Sequence, residues 1–81
     1  MTLHTLDVVV LTRDLPAHGL RQGDLGAVVD VQGPDAVAVE FVAASGRTQA
    51  LVTLPPGDLR EVNDDDLVSV RPAGSSTTRR N

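Results

Sequence analysis

The chain has 81 residues, a net charge of −4 from eleven acidic residues against seven arginines, no cysteine and one aromatic residue, Phe41. A chain this short holds one domain, and without cysteine it has no disulfide or thiolate metal site, which predicts a reducing, cytoplasmic location. The acidic balance and the presence of only one aromatic side chain disfavour nucleic acid as a ligand, and the first apolar stretch is too short to span a membrane.

Short apolar runs rich in valine, separated by Gly, Pro and Asp, follow one another along the chain. This pattern predicts five strands, and no window has the 3.6-residue period of a long helix. Within the third strand, Val37, Val39 and Phe41 alternate with Ala38 and Glu40, so the first set should face the core. The expected strands cover residues 7–12, 26–32, 37–42, 48–54 and 59–62.

The connections between these strands carry recognisable turn chemistry. The first is long, residues 13–24, and places Leu15 and Leu20 where they are expected to close one end of the core. Pro34 with Asp35 predicts a tight hairpin, and Gly46 predicts a second one. In "LPPGDL", two prolines end the fourth strand and a 3₁₀ turn leads into the fifth. Together these features are typical of an all-β, five-stranded SH3-like barrel.

The first long loop ends in "GDLG", with Gly23 and Gly26 three residues apart. A phosphate-binding loop needs GxxxxGK[ST] between a strand and a helix, and a dinucleotide-binding turn needs GxGxxG at the start of a helix. Neither pattern is present, and a strand follows, so no helix N-terminus is available to hold an anion. We therefore predict that Gly23 closes a turn and that Gly26 lies where a close neighbour or a bulge excludes a side chain.

The barrel domain is expected to cover residues 1–62, followed by an acidic and polar extension at residues 63–81. The extension opens with the acidic run of Asp64, Asp65 and Asp66. The apolar residues of "LVSV" at 67–70 are compatible with a short additional strand. From about Ala73 onward, the Gly, Ser and Thr content predicts a flexible, largely disordered tail.

No set of residues has the spacing of a catalytic or metal site. His4 and His18 are the only histidines, and no acidic residue is spaced with them as a metal ligand. The sequence therefore predicts no enzymatic activity, no cofactor and no bound metal. A catalytic serine needs a general base beside it. The serines lie instead in a predicted hairpin tip or in the extension, away from either histidine: Ser45, Ser69, Ser75 and Ser76.

Three groups of residues are candidates for contact with a partner. Arg13 and Arg21 lie on the first loop, and arginine is suited to bidentate contacts with carboxylates at an interface. Leu51 faces outward from a fourth strand that is apolar on both sides. The third group is the acidic run at residues 64–66. Local ion pairs, a lone exposed leucine and a solvated acidic segment are the structural alternatives for these three groups.

Two long stretches, "LDVVVLTRDLPAHGLRQGDLGAVVDV" and "VAVEFVAASGRTQALVTLPPGDLREV", carry a family resemblance. Their most specific parts are "VVLTRDLP", "GDLG" with the valines after it, "VEF", and "LP" with "DLR". Over residues 6–62 the chain resembles DUF4926, a family of short bacterial proteins of unknown function. The resemblance implies an SH3-like barrel with no established activity and, from members encoded beside toxin-like genes, an antitoxin or accessory role.

The sequence thus favours a non-enzymatic protein-interaction module, an antitoxin or immunity-type subunit whose acidic surface caps a basic partner protein. The alternative is a KOW-like domain that binds RNA or a ribonucleoprotein, because the glycine-to-valine segment is also similar to KOW motifs. A third possibility is a homodimer that uses strand four or an edge strand, with the function residing in the assembly.

Overall fold

The computed structural model describes residues 2–73, and this part of the chain is all-β. Every predicted strand is confirmed to within one residue at each end, and so is the 3₁₀ turn before the last strand. A second 3₁₀ turn, Pro16–His18, was not predicted, although Pro16 at its first position is a usual start signal. Within residues 2–73, no helix is long and apolar enough to cross a membrane. The strands are β1 (Val8–Leu11), β2 (Leu25–Val31), β3 (Val37–Val42), β4 (Thr48–Leu54) and β5 (Leu59–Glu61). The predicted 3₁₀ turn before β5 is Pro56–Asp58.

The strands form one antiparallel sheet in the order β4-β3-β2-β1-β5. Strands β1 to β4 form a meander, and the turn at Pro56–Asp58 leads the chain back so that β5 pairs with β1. In the part of the chain that the structure describes, β4 and β5 are the two edges and do not pair with each other. The closed barrel expected from the sequence is therefore not confirmed.

The hydrophobic core lies on one face of the sheet. Val9 and Leu11 of β1 are fully buried there, and Leu15 and Leu20 join them from the first loop, where they form an antiparallel bridge. These two leucines confirm the prediction that the loop closes one end of the core. The core residues are Leu3, Val9, Leu11, Leu15, Leu20, Val28, Val37, Val39, Phe41, Val52, Leu54 and Leu59.

The two glycines of "GDLG" have the architectural roles that the sequence predicted. Gly23 has a φ of +95°, a conformation that glycine adopts readily, and it lies in the turn before β2. Gly26 is buried in β2, and a Cβ on it would lie 2.6 Å from Cγ1 of Val39 and 2.9 Å from Cε2 of Phe41. A side chain at residue 26 would therefore collide with the core.

Candidate interaction surface

The face of the sheet opposite the core, here called the outer face, carries a row of side chains across four strands. The pairing register places Val8 beside Ala27, Ala27 beside Glu40, and Glu40 beside Leu51. Because side chains alternate along each strand, these four residues point away from the core. Val8 is 52% exposed and Leu51 is 64% exposed, so apolar side chains lie open to solvent here.

A second row on the outer face is covered. Val10 pairs with Leu25 on one side and with Arg60 on the other, and it faces away from the core. Val10 is nevertheless only 4% exposed. Residues 63–73, here called the strap, follow β5 without forming a helix or strand. Asp66 of the strap binds Arg60, which pairs with Val10, and Arg71 of the strap binds Asp24, which precedes Leu25.

The first end of the strap is held by Arg60 and Asp66. Nη1 of Arg60 donates to Oδ2 of Asp66 at 2.8 Å, and Nη2 donates to Oδ1 at 2.9 Å. The hydrogen bond from Arg60, with a second from the backbone N–H of Asn63, lowers the pKa of Asp66 from 3.8 to about 2. The same hydrogen bond raises the pKa of Arg60. The pair is thus charged throughout the physiological pH range.

The second end of the strap is held by Arg71 and Asp24, which are 47 residues apart in sequence. Nε of Arg71 donates to Oδ1 of Asp24 at 3.0 Å, and Nη2 donates both to Oδ2 of Asp24 and to the carbonyl of Gly19. The hydrogen bonds to Asp24 raise the pKa of Arg71. Since Asp24 also accepts from the backbone N–H of Arg21, one carboxylate fixes both the strap and the end of the first loop.

Between its two anchors the strap presents apolar side chains to solvent. Leu67 is 93% exposed and Val70 is 95% exposed, and Val68 is exposed as well. The additional strand left open at residues 67–70 is not formed. The strap borders an open groove of about 750 Å³ that is also lined by the first loop and by the β3–β4 hairpin. The groove is lined by Leu25, Val42, Leu67, Val68 and Val70, and these five residues together with the exposed Val8 and Leu51 are here called the apolar surface.

Charge is distributed unevenly between the two ends of the sheet. The end with the first loop and the β3–β4 hairpin, here called the arginine end, holds four arginines and three aspartates: Arg13, Arg21, Arg47, Arg71, Asp14, Asp24 and Asp58. The opposite end, here called the acidic end, holds six carboxylates and no arginine within the described residues: Asp7, Asp30, Asp35, Glu61, Asp64 and Asp65. The strands therefore run along a charge gradient.

The predicted partner-binding arginines lie at the arginine end. Nη2 of Arg13 lies 2.9 Å from Oδ2 of Asp58, so Arg13 forms an ion pair with the turn before β5 and not with its sequence neighbour Asp14. Arg21 is exposed, and its side chain has no ion-pair partner among residues 2–73. Of the two, Arg21 is the side chain left available for another molecule.

The predicted apolar and acidic candidates lie elsewhere. Leu51 is on the outer face, while Asp64 and Asp65 are exposed at the acidic end. Asp66 is engaged by Arg60 and acts as an anchor of the strap. The structure therefore does not bring the six candidate residues into one site, because the first loop and the acidic run lie at opposite ends of the sheet.

Sequence reasoning missed the two anchors of the strap. Neither the ion pair of Arg60 with Asp66 nor that of Arg71 with Asp24 was predicted. The pairing of Arg71 with Asp24 depends on how the chain returns across the sheet, and no spacing in the sequence encodes that path. Within the described residues, no group of three or more His, Asp or Glu side chains is arranged to hold a metal ion.

Comparison with known proteins identifies a family and no individual relative. The model of the domain of unknown function DUF4926 matches residues 5–61. The chain belongs to this family. The matched segment begins just before β1 and ends at the last residue of β5, so it covers the sheet and excludes the strap. No curated protein and no solved structure matches the chain.

Proposed function

We propose that this DUF4926 domain is a non-enzymatic protein-interaction module whose partner docks on the apolar surface. The observation that carries the proposal is the exposure of seven large apolar side chains on the outer face and strap. Several large apolar side chains exposed on one side of a small protein are typical of a protein-binding site. The opposite face is closed by the core, so the outer face is the side of the sheet available to a partner.

The charges around the apolar surface indicate the chemistry of the partner. Glu40 lies within the outer row, and the exposed Asp64 and Asp65 lie at the adjoining acidic end. Such a surface complements an apolar patch flanked by basic residues. We therefore propose that the domain is an antitoxin or immunity-type subunit in the cytoplasm. It would cap a basic protein that acts on nucleic acid and keep nucleic acid away from that protein.

We also propose that the sheet belongs to an SH3-like fold. The strand order, the bulge in β2 between Val28 and Asp30, and the 3₁₀ turn before β5 support this assignment. In such a fold the outer side of the strands is exposed, as Val8 and Leu51 are here.

Affinity purification of the tagged full chain from its native host, followed by reconstitution with the purified partner, tests the proposal. We expect the double substitution Val42→Ser with Leu51→Ser to raise the Kd at least about tenfold, because both side chains lie in the apolar surface. Val31→Ser is the matched control, since Val31 is an exposed valine outside that surface. Failure to reconstitute any complex, or equal weakening by the control, would overturn the proposal.

RNA binding is the second candidate function, and the arginine end favours it. Arg21 and Arg47 are exposed there and form no ion pairs within residues 2–73. Fluorescence anisotropy with single-stranded RNA at low salt distinguishes this candidate from the first. A salt-dependent affinity that is lost on substitution of Arg13 and Arg21 by alanine supports it. An unchanged anisotropy at low ionic strength excludes it.

A further inference from the structure

The edge of the sheet at β4 has none of the usual protection against pairing with another strand. Thr48–Leu54 contains seven residues with no charged side chain and no proline. Within the described chain, the backbone of β4 forms hydrogen bonds only with β3. Natural edge strands are commonly protected by charge, proline or short length, and β5 at the other edge has three residues, including Arg60 and Glu61. The edge at β4 is therefore a candidate to accept a further strand.

The bulge in β4 defines which residues can pair regularly. Phe41 pairs with Ala50 and Val42 pairs with Thr48, so Gln49 is the additional residue on the β4 side. Bulges interrupt regular pairing, which leaves residues 50–54 as the regular part of the edge. Val52 is the central residue of this segment. Its neighbours Leu51 and Thr53 are exposed on the outer face.

The charge gradient along the strands determines which occupant fits this edge. Arg47 precedes β4 at the arginine end, while Asp35 lies in the turn at the end where β4 finishes. Two copies of the chain paired antiparallel would place the arginine end of each beside the acidic end of the other. Parallel pairing would place like ends together. The neutral strand between the ends lets two anionic chains approach each other without direct repulsion.

We infer that β4 pairs antiparallel with β4 of a second copy about a two-fold axis at Val52. The two sheets then become one continuous sheet, and the interface is isologous and closed. On the outer face, Leu51 of each copy packs beside Thr53 of the other. This inference does not rest on the proposed function, because it concerns the edge of the sheet and is measured without any partner protein, although both use Leu51.

Sedimentation velocity of the full chain over a range of concentrations tests the inference. We expect the wild type to form a concentration-dependent dimer, and Leu51→Lys to raise the dimer Kd by about tenfold or more through lost packing and added like charges. Val8→Lys is the control, because Val8 is also exposed on the outer face but lies in β1, inside the sheet. We expect its dimer Kd to stay within about twofold of the wild type.

Two results would overturn the inference: a wild type that is monomeric at all concentrations, or equal disruption by Leu51→Lys and Val8→Lys, which would indicate face-to-face association. Circular dichroism checks that each variant is folded, and Thr53→Lys replaces any Leu51→Lys protein that is not.

Disulfide trapping checks the register, because the chain has no cysteine of its own. Copies carrying Leu51→Cys are mixed with copies carrying Thr53→Cys under mild oxidation. We expect the mixed disulfide to dominate, since antiparallel neighbours directly opposite each other have Cβ atoms within about 5.5 Å. Dominant symmetric disulfides, or no disulfide in a sample that sediments as a dimer, would contradict pairing about Val52.

Discussion

The two faces of the sheet are built from similar amino acids and have opposite properties. The core face buries Val39 and Phe41 so tightly that a methyl group at Gly26 would not fit. The outer face leaves Val8, Val42 and Leu51 open, although the residues are just as apolar. The domain is too small to cover both faces of its sheet fully, so on the outer face Val10 is buried while these three side chains stay open to solvent.

The largest effect on stability is expected from Phe41→Ala, which tests how far folding depends on the core face. Phe41 is the sole aromatic residue and is 2% exposed. Removing a buried phenyl group costs about 3–5 kcal/mol in unfolding free energy, which is a large share of the stability of a domain this small. Urea denaturation measures the change. A loss below about 1 kcal/mol would show that the core does not depend on this side chain.

A smaller but still clear loss is expected from Gly26→Ala. The added Cβ meets Val39 and Phe41 at distances that require the core to shift, which costs about 1–3 kcal/mol. Gly57→Ala is the matched control, because no atom lies within 4 Å of a Cβ at residue 57 and its φ is not positive. The control should change the unfolding free energy by less than about 0.5 kcal/mol. Equal losses for both variants would contradict the packing described here.

We expect Arg71→Gln to loosen the strap while leaving the unfolding free energy of the whole domain almost unchanged. The substitution removes the ion pair with Asp24, and partly exposed ion pairs contribute about 0–1 kcal/mol to folding. The unfolding midpoint should therefore move little. Hydrogen exchange followed by mass spectrometry should show faster exchange in residues 63–73. Unchanged exchange in residues 63–73 would show that the ion pair with Asp24 does not hold the strap in place.

We expect the attachment of the strap at Asp66 to depend on pH. Because the folded-state pKa is lowered to about 2, the pair with Arg60 stabilises the strap above the unfolded pKa near 4. That stabilisation is lost as the pH falls from about 4 through 2. NMR titration of the carboxyl carbon should show the low pKa in the wild type and a return toward 3.8 in Arg60→Gln. A wild-type titration near 3.8 would mean that the bidentate pair does not persist in solution.

The smallest effect on stability is expected from Leu51→Ser. Leu51 is exposed, so its replacement should change the unfolding free energy by no more than about 0.5 kcal/mol. The same substitution should weaken partner binding, which separates the role of the outer face from that of the core. A stability loss comparable with that of Gly26→Ala would indicate that Leu51 is part of the core.

The strands and the last turn could be predicted from residue types that lie close together in the sequence. Valine-rich runs bounded by Pro34, Gly46 and Pro55 placed each strand to within one residue, because turn residues act on the backbone beside them. The strap was beyond such reasoning. Its attachment depends on Arg71 meeting Asp24 after the whole sheet has formed, and residues 63–66 contain no hydrophobic pattern from which that path could be predicted. The flexible tail predicted beyond residue 73 lies outside the described residues.

We expect the outer face, with the strap, to be the surface through which the domain binds its partner. Methyl NMR spectra of the labelled chain, recorded as the purified partner is added, test this most directly. We expect the signals of Val8, Val42 and Leu51 to shift on binding, while those of the buried Val28 and Val39 stay in place. Shifts confined to residues around Arg21 and Arg47, with the outer-face methyl signals unmoved, would contradict it.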